Sequence, residues 1–383
     1  MRNQGGLSRL GKPLTSNLFE FRIVSNTPRC PRATVVQPLD GSNRCSLMIV
    51  EFDDQGLCFD RGWRAKVEAA LAALRACQPI ILVFVHGWRH NADQIDDNLR
   101  SFEGLLTHTA AAEGDGGRPV LGVFVAWRGL SRKGNDLWEM SSFWDRQQAA
   151  ERVAHGSARE LLGRLKVFRN TEGAAKLIII GHSFGGLIVY TAIAQSLIEA
   201  AASQQHVTPS YGDLVLLVNP AFTAVSYLPI HEIVCSGKTF TNIQPPVFVS
   251  VTADNDEATG MAFPLANASR KLTEATRGAL EAETLIRTMG HVRALLTHRL
   301  SVPEKNAPAT EQAGSTRERF SRLTQQAQQD SFGPVTVSRL IVSHPESPFW
   351  VASASKQVIN GHNGIFTEPF EAFVRKLVEA HLQ

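Results

Sequence analysis

Residues 176–190 read Lys-Leu-Ile-Ile-Ile-Gly-His-Ser-Phe-Gly-Gly-Leu-Ile-Val-Tyr. Four apolar residues, Leu177 to Ile180, predict a buried strand. Gly181-His182-Ser183-Phe184-Gly185 interrupts it, and an apolar helix follows at once. A G-x-S-x-G match alone is weak, but between a buried strand and a helix it meets the context a nucleophile elbow requires. Small flanking residues let neighbouring backbone approach the serine in a strained turn. Ser183 then projects above the sheet at a helix N-terminus, where unpaired N–H groups and the helix dipole favour negative charge. Ser183 is the candidate nucleophile.

Outward from this segment, short apolar runs alternate with helical stretches, the pattern of a mostly parallel sheet covered by helices on both faces. The runs are Leu47–Phe52, Ile80–Val85, Val120–Trp127, Leu177–Ile180, Leu214–Val218, Val247–Val251 and Phe349–Ala352. They are rich in Val, Ile and Phe and barely alternate, as parallel strands buried on both faces do. Helices are predicted at Trp63–Ala76, Gln94–Ala112, Asp145–Phe168, Gly186–Ala202 and Phe370–Leu382. Function in such sheets sits at the carboxyl ends of the strands. Between residues 260 and 345 no strand is predicted. Leu285, Met289, Val292 and Leu296 fall at helical spacing there, giving one apolar stripe. The segment reads as a mostly helical insertion, either a packing helix plus linker or a substrate lid.

In this order of strands and helices, and in its serine motif, the chain resembles the α/β-hydrolase superfamily, its serine esterase and lipase branch. The resemblance runs from Leu47 to the C-terminus and implies the fold and a serine hydrolase activity. It also implies an oxyanion hole, formed by the N–H of the residue after the nucleophile, here Phe184, and by a loop after an earlier strand. The run Ile80–Val85 leads into His86-Gly87-Trp88, so the Trp88 N–H is the expected second donor and Gly87 allows the bend. His86 and His90 stand four apart, but no HExxH signature, cysteine or helix accompanies them, and no metal is expected.

The order Ser, acid, His in such hydrolases turns the histidines into an elimination. His206 and His231 precede any acid loop, His291 and His298 belong to the insertion, and His344 precedes the last strand. His381 ends the last helix. His362, in Asn360-Gly361-His362-Asn363-Gly364, follows the last strand and is the expected general base. The run Val247–Val251 leads to Asp254, Asp256 and Glu257, and the acid is expected at Asp256, with Asp254 the competitor and Glu257 third. Asn219, at the other position where such folds place the acid, cannot carry the charge.

For substrate contacts, Trp88, Phe184, Phe222 and Trp127 are the candidates, with Trp138, Phe143 and Trp144 in nearby segments. An apolar pocket of this kind suits an acyl chain or aromatic alcohol. Arg89, Arg128, Arg132 and Lys133 would meet an acidic headgroup, unless they are simply solvated. No phosphate loop, dinucleotide fingerprint or zinc spacing occurs, so no cofactor is expected.

The chain has 383 residues, 43% hydrophobic and 20% charged, which excludes wholesale disorder, collagen and coiled coil. A net charge of +3 gives no argument for nucleic acid. Residues 1–45 carry seven Lys/Arg against two acids and form a basic extension, leaving 46–383 as one hydrolase domain with the insertion at 260–345. No apolar run reaches the roughly 20 residues of a membrane helix, and residues 1–16 lack the apolar core of a secretory signal. Five cysteines without a CxxC pair favour reduced thiols and a cytoplasmic setting, with a Cys30–Cys45 bridge as the exception to test. The expected partner is a small-molecule or lipid ester. Ester hydrolysis leads, ahead of a lipase or phospholipase that acts on membranes, as an effector toxin would. A peptidase and a catalytically silent hydrolase-like binding module stay open beside these.

Overall fold

The computed structural model describes residues 33–39, 44–88, 90, 92–94, 96–127, 136–173, 175–205, 207–238, 240, 244–268, 270–303, 311–325, 328–340 and 346–383. Its strands are β1 (Val35–Pro38), β2 (Cys45–Phe52), β3 (Ile80–Val85), β4 (Val120–Trp127), β5 (Lys176–His182), β6 (Leu214–Val218), β7 (Phe248–Ala253), β8 (His298–Ser301), β9 (Gln329–Phe332), β10 (Val335–Arg339) and β11 (Phe349–Ala354). They form one sheet in the order β1-β2-β4-β3-β5-β6-β7-β11-β8-β10-β9. The eight strands from β2 to β8 run parallel, in register such as Val85↔Gly181 and His182↔Val218, while β1 and the β10–β9 pair close the two edges antiparallel.

Both faces are buried, which is why the strands lack a polar side. On β3, Ile81, Val83 and Val85 join one core with α1 (Trp63–Leu74), α3 (Asp136–His155), α4 (Ser157–Thr171) and α5 (Phe184–Ala202). Ile80, Leu82 and Phe84 join the opposite core with Leu99, Phe102 and Leu106 of α2 (Asp97–Glu113). Asp96 caps α2 by accepting the Asn98 N–H at 2.9 Å. The predicted helix over 145–168 is two helices, parted at Gly156 where the chain abuts the backbone of Gly56.

Three expectations are corrected. Among the described residues the sheet starts at β1, paired antiparallel with β2, so the domain reaches back before residue 46. The 260–345 segment is not strandless: β8, β9 and β10 lie in it and extend the sheet, with α10 (Thr316–Gln325) and α11 (Glu368–Leu382) packed beside them. These strands span four or five residues each, too short for a strong apolar run. The third concerns the apolar stripe. After α6 (Leu228–Cys235), α7 (Phe263–Asn267), α8 (Arg270–Thr273) and α9 (Ala279–Thr284), the chain makes two short 3-10 turns, Met289–His291 and Arg293–Leu295. Leu285, Met289 and Val292 are buried, the last two in the main core, so they form no exposed lid stripe. Gly290 lies so close to Thr252 that a Cβ there would collide with its side chain, which fixes this turn against the end of β7.

Among the described residues one helix, α5, is long and apolar enough by length and composition to cross a membrane. Its apolarity is spent on the core, since 67% of its apolar window is buried. Cys30 lies outside the described residues, as do His206 and His344.

Candidate active site

Ser183 stands between the end of β5 and the first residue of α5 with φ 55° and ψ −120°, a conformation that side-chain-bearing residues rarely adopt. Backbone bonds hold it there: its N–H donates to the Val218 carbonyl at 3.0 Å, and its carbonyl accepts from Ala221 at 3.1 Å. Gly87 lies against it, where a Cβ would come within 2.7 Å of Ser183 Cβ and 3.0 Å of the His182 carbonyl. The 86–88 loop therefore reaches the serine only because residue 87 is glycine.

The Ser183 hydroxyl donates to His362 Nε2 at 2.7 Å, and His362 Nδ1 donates to Asp256 Oδ2 at 2.9 Å. Asp256 is buried and lies just beyond β7; the Thr259 N–H donates to its Oδ1 at 3.1 Å and the Thr259 hydroxyl to its Oδ2 at 2.6 Å. Burial alone would raise this carboxyl, but the hydrogen bond and charge of His362 and the bonds from Thr259 outweigh it and hold the group below its usual range. Asp254 instead pairs with Arg299 at 2.6 Å, well exposed, so the two carboxylates are separated by environment.

Side chains of neighbouring strand ends fix the base loop. His182 Nε2 donates to the His362 carbonyl at 3.0 Å, and Asn219 Nδ2 donates to the same oxygen at 2.8 Å. Asn219 Oδ1 accepts the Ala253 N–H at 2.9 Å, which ties the acid strand to the base loop. Asn255 Oδ1 accepts the Gly361 N–H at 3.0 Å. Burial and the neighbouring His362 ring push His182 well below the usual histidine value, so it stays neutral.

His86 is fully buried at the start of the 86–88 loop. Its Nδ1 donates to the Gly87 carbonyl at 2.9 Å and its Nε2 accepts the Trp127 N–H at 3.1 Å. Burial lowers its pKa to about 4, consistent with this neutral tautomer. Because a trans peptide points its C=O and N–H oppositely, pinning the Gly87 carbonyl toward His86 turns the Trp88 N–H the other way. His90 pairs with Asp96 at 3.1 Å.

The aromatic expectations divide. Trp127, Phe184 and Phe222 are 1%, 1% and 3% exposed, and their rings are core: Trp127 stacks on His86, and Phe222 on Tyr190 at 4.6 Å. All three side chains join the core cluster that contains the residues of α5. Trp88 is half-buried and packs against that core from the loop. The side chains of Trp138, Phe143 and Trp144, and residues Arg89, Arg128, Arg132 and Lys133, lie outside the described residues.

Sequence reasoning missed His182, Asn219, Asn255 and Thr259. The available signal was position alone: His182 and Asn219 end adjacent parallel strands, where side chains converge.

No curated protein sequence matches the chain. Among solved structures it is similar to TT1662 from Thermus thermophilus, at 12% identity and TM-score 0.33, over 80% of this chain and 90% of that one. A Trichoderma reesei cutinase bound to a phosphonate inhibitor is similar at 15% and 0.23, over 58% and 80%. Phospholipase PlaB from Legionella pneumophila is similar at 13% and 0.28, over 60% and 47%. The model of the alpha/beta hydrolase family matches residues 82–376, well over half of the chain. That span runs from inside β3 to α11 and holds the parallel sheet centre, Ser183, Asp256 and His362, and the chain belongs to the alpha/beta hydrolase family.

Proposed function

We propose that the protein is a serine hydrolase that cleaves carboxylic esters through an acyl-enzyme. The observation that carries this reading is the continuous hydrogen-bonded line from Ser183 through His362 to Asp256, at 2.7 and 2.9 Å. Ser183 Oγ attacks the ester carbonyl while His362 Nε2 takes its proton. Asp256 holds the Nδ1–H tautomer and stabilises the imidazolium. The N–H groups of Phe184 and Trp88 receive the oxyanion, the second oriented by the His86 clamp on the Gly87 carbonyl. His362 then protonates the leaving alcohol, and water, deprotonated by the same imidazole, releases the acid.

A lipid ester is the second reading. Met261 and Leu265 favour it: they stand four residues apart, 65% and 76% exposed, on the segment that begins at Asp256. A series of p-nitrophenyl acyl esters, soluble and micellar, tests both. Turnover that Ser183→Ala abolishes supports the hydrolase, and a jump in rate above the micelle threshold supports the lipid substrate. Failure to turn over any ester or to react with a fluorophosphonate would favour a silent binding module.

A further inference from the structure

The acid of the site does not end the hydrogen-bonded line. The Thr259 hydroxyl, 2.6 Å from Asp256 Oδ2, is also 3.0 Å from His291 Nε2. A hydroxyl has one proton, and the ionised carboxylate only accepts, so that proton belongs to Asp256. His291 Nε2 must then donate to the Thr259 oxygen. Thr259 is buried and His291 is held in the 3-10 turn that Gly290 locks against Thr252. The His291 ring also lies against Gly260, 3.0 Å from where a Cβ would stand.

We propose that Thr259 and His291 are positioning residues that extend the site to Ser183–His362–Asp256–Thr259–His291 and set the basicity of His362. This rests on the hydrolase reading above. Oδ2 serves two donors, His362 and Thr259, so the hydroxyl both fixes the carboxylate's rotation and withdraws part of its charge from the imidazole. His291 fixes the hydroxyl in turn. The charged groups around His291 are Asp256 and Asp254 from the acid loop and Arg287 from its own segment. Burial, the largest influence, keeps the ring below the usual histidine value, so it donates as a neutral imidazole.

The test is Thr259→Val, near-isosteric and without the hydroxyl, with Thr259→Ser as the rescue. Losing a charge-assisted bond of this kind is expected to lower kcat about tenfold, with KM little changed. The freed carboxylate becomes a stronger partner for the imidazolium, so the acid limb of kcat/KM moves up by about half a pH unit or more. Thr259→Ser restores both. His291→Phe gives a smaller loss in the same sense, about two- to threefold, and His291→Gln, which keeps a donor, recovers it.

A second readout is the NMR titration of the His362 imidazole in wild type and Thr259→Val, which needs no substrate. An upward shift there supports the relay even if no ester is turned over, in which case only the hydrolase reading fails. Active wild type, inactive Ser183→Ala, and a Thr259→Val variant with unaltered pH profile and unaltered His362 titration would overturn the relay alone. Should Thr259→Val fail to fold, the His291→Phe and His291→Gln pair decides by the same two readouts.

Discussion

Ser183 holds a backbone conformation that costs about 1–3 kcal/mol in isolation, and its backbone bonds to Val218 and from Ala221 over-determine it. The strain belongs to the site, so Ser183→Ala and His362→Ala should leave the melting temperature nearly unchanged while ester turnover falls about ten-thousandfold or more. Assay of the two purified variants checks this, and full activity in either would remove that residue from the mechanism. The carboxylates give a sharper comparison. Asp256→Asn should cost about the same order of activity as loss of the correct tautomer. Asp254→Asn removes only an exposed pair with Arg299 and should change little. Chain position made Ser183 and His362 legible, because each has one admissible place in the order. Asp254 and Asp256 both follow the same strand, and what separates them is Arg299, 45 residues away in sequence from Asp254, and Thr259, whose hydroxyl has no signature. Gly87 belongs to the same scale: Gly87→Ala should lower kcat, because the added Cβ moves the loop away from the serine. Comparing kcat with the thermal midpoint separates this from general destabilisation.

Elements were legible where burial on both faces left one pattern to read. β3, β4 and β6 begin and end where their apolar runs do, and parallel neighbours on either side explain why no polar alternation marks them. Between residues 260 and 345 the strands are short and lie toward the sheet edge, and their residues do not form a run. The stripe at 285–296 misled for a different reason. Helical spacing and a turn that inserts successive residues into a core both space apolar side chains three or four apart, and only the collision of a residue-290 side chain with Thr252 distinguishes them. Gly290→Ala turns that distinction into a measurement. A residue on a mobile lid would accept the methyl group without thermodynamic effect. Here the substitution should destabilise the fold by about 1–3 kcal/mol, a drop of several degrees in Tm. Differential scanning calorimetry measures it, and an unchanged Tm would mean that the 3-10 turn is not anchored on β7.

At the scale of the whole molecule, the site's demand for neutral imidazoles becomes a property of the fold. His86 and His182 are buried and His291 is half-buried, all with lowered pKa values, in each case chiefly because desolvation disfavours the charged form. In the unfolded chain each binds a proton near pH 6.5. Below that pH the unfolded state holds more protons than the native one, so stability is full above about pH 6.5 and falls as the pH drops toward the folded value. For His86, whose folded value is about 4, the loss amounts to about 3 kcal/mol across that window. Carboxylates act lower down. Asp60, held at about 2 first by its bond to Lys66, and Asp256, also lowered, contribute stability that is present above about pH 4 and lost only as the pH falls further. The two classes therefore occupy different windows, and the pH range of the loss identifies its source. Thermal midpoints measured from about pH 8 to pH 4 should decline already between about pH 6.5 and 5, before the carboxylates titrate. Midpoints that stay flat to about pH 4.5 and collapse only below it would assign acid lability to the carboxylates and contradict a neutral state for the three histidines.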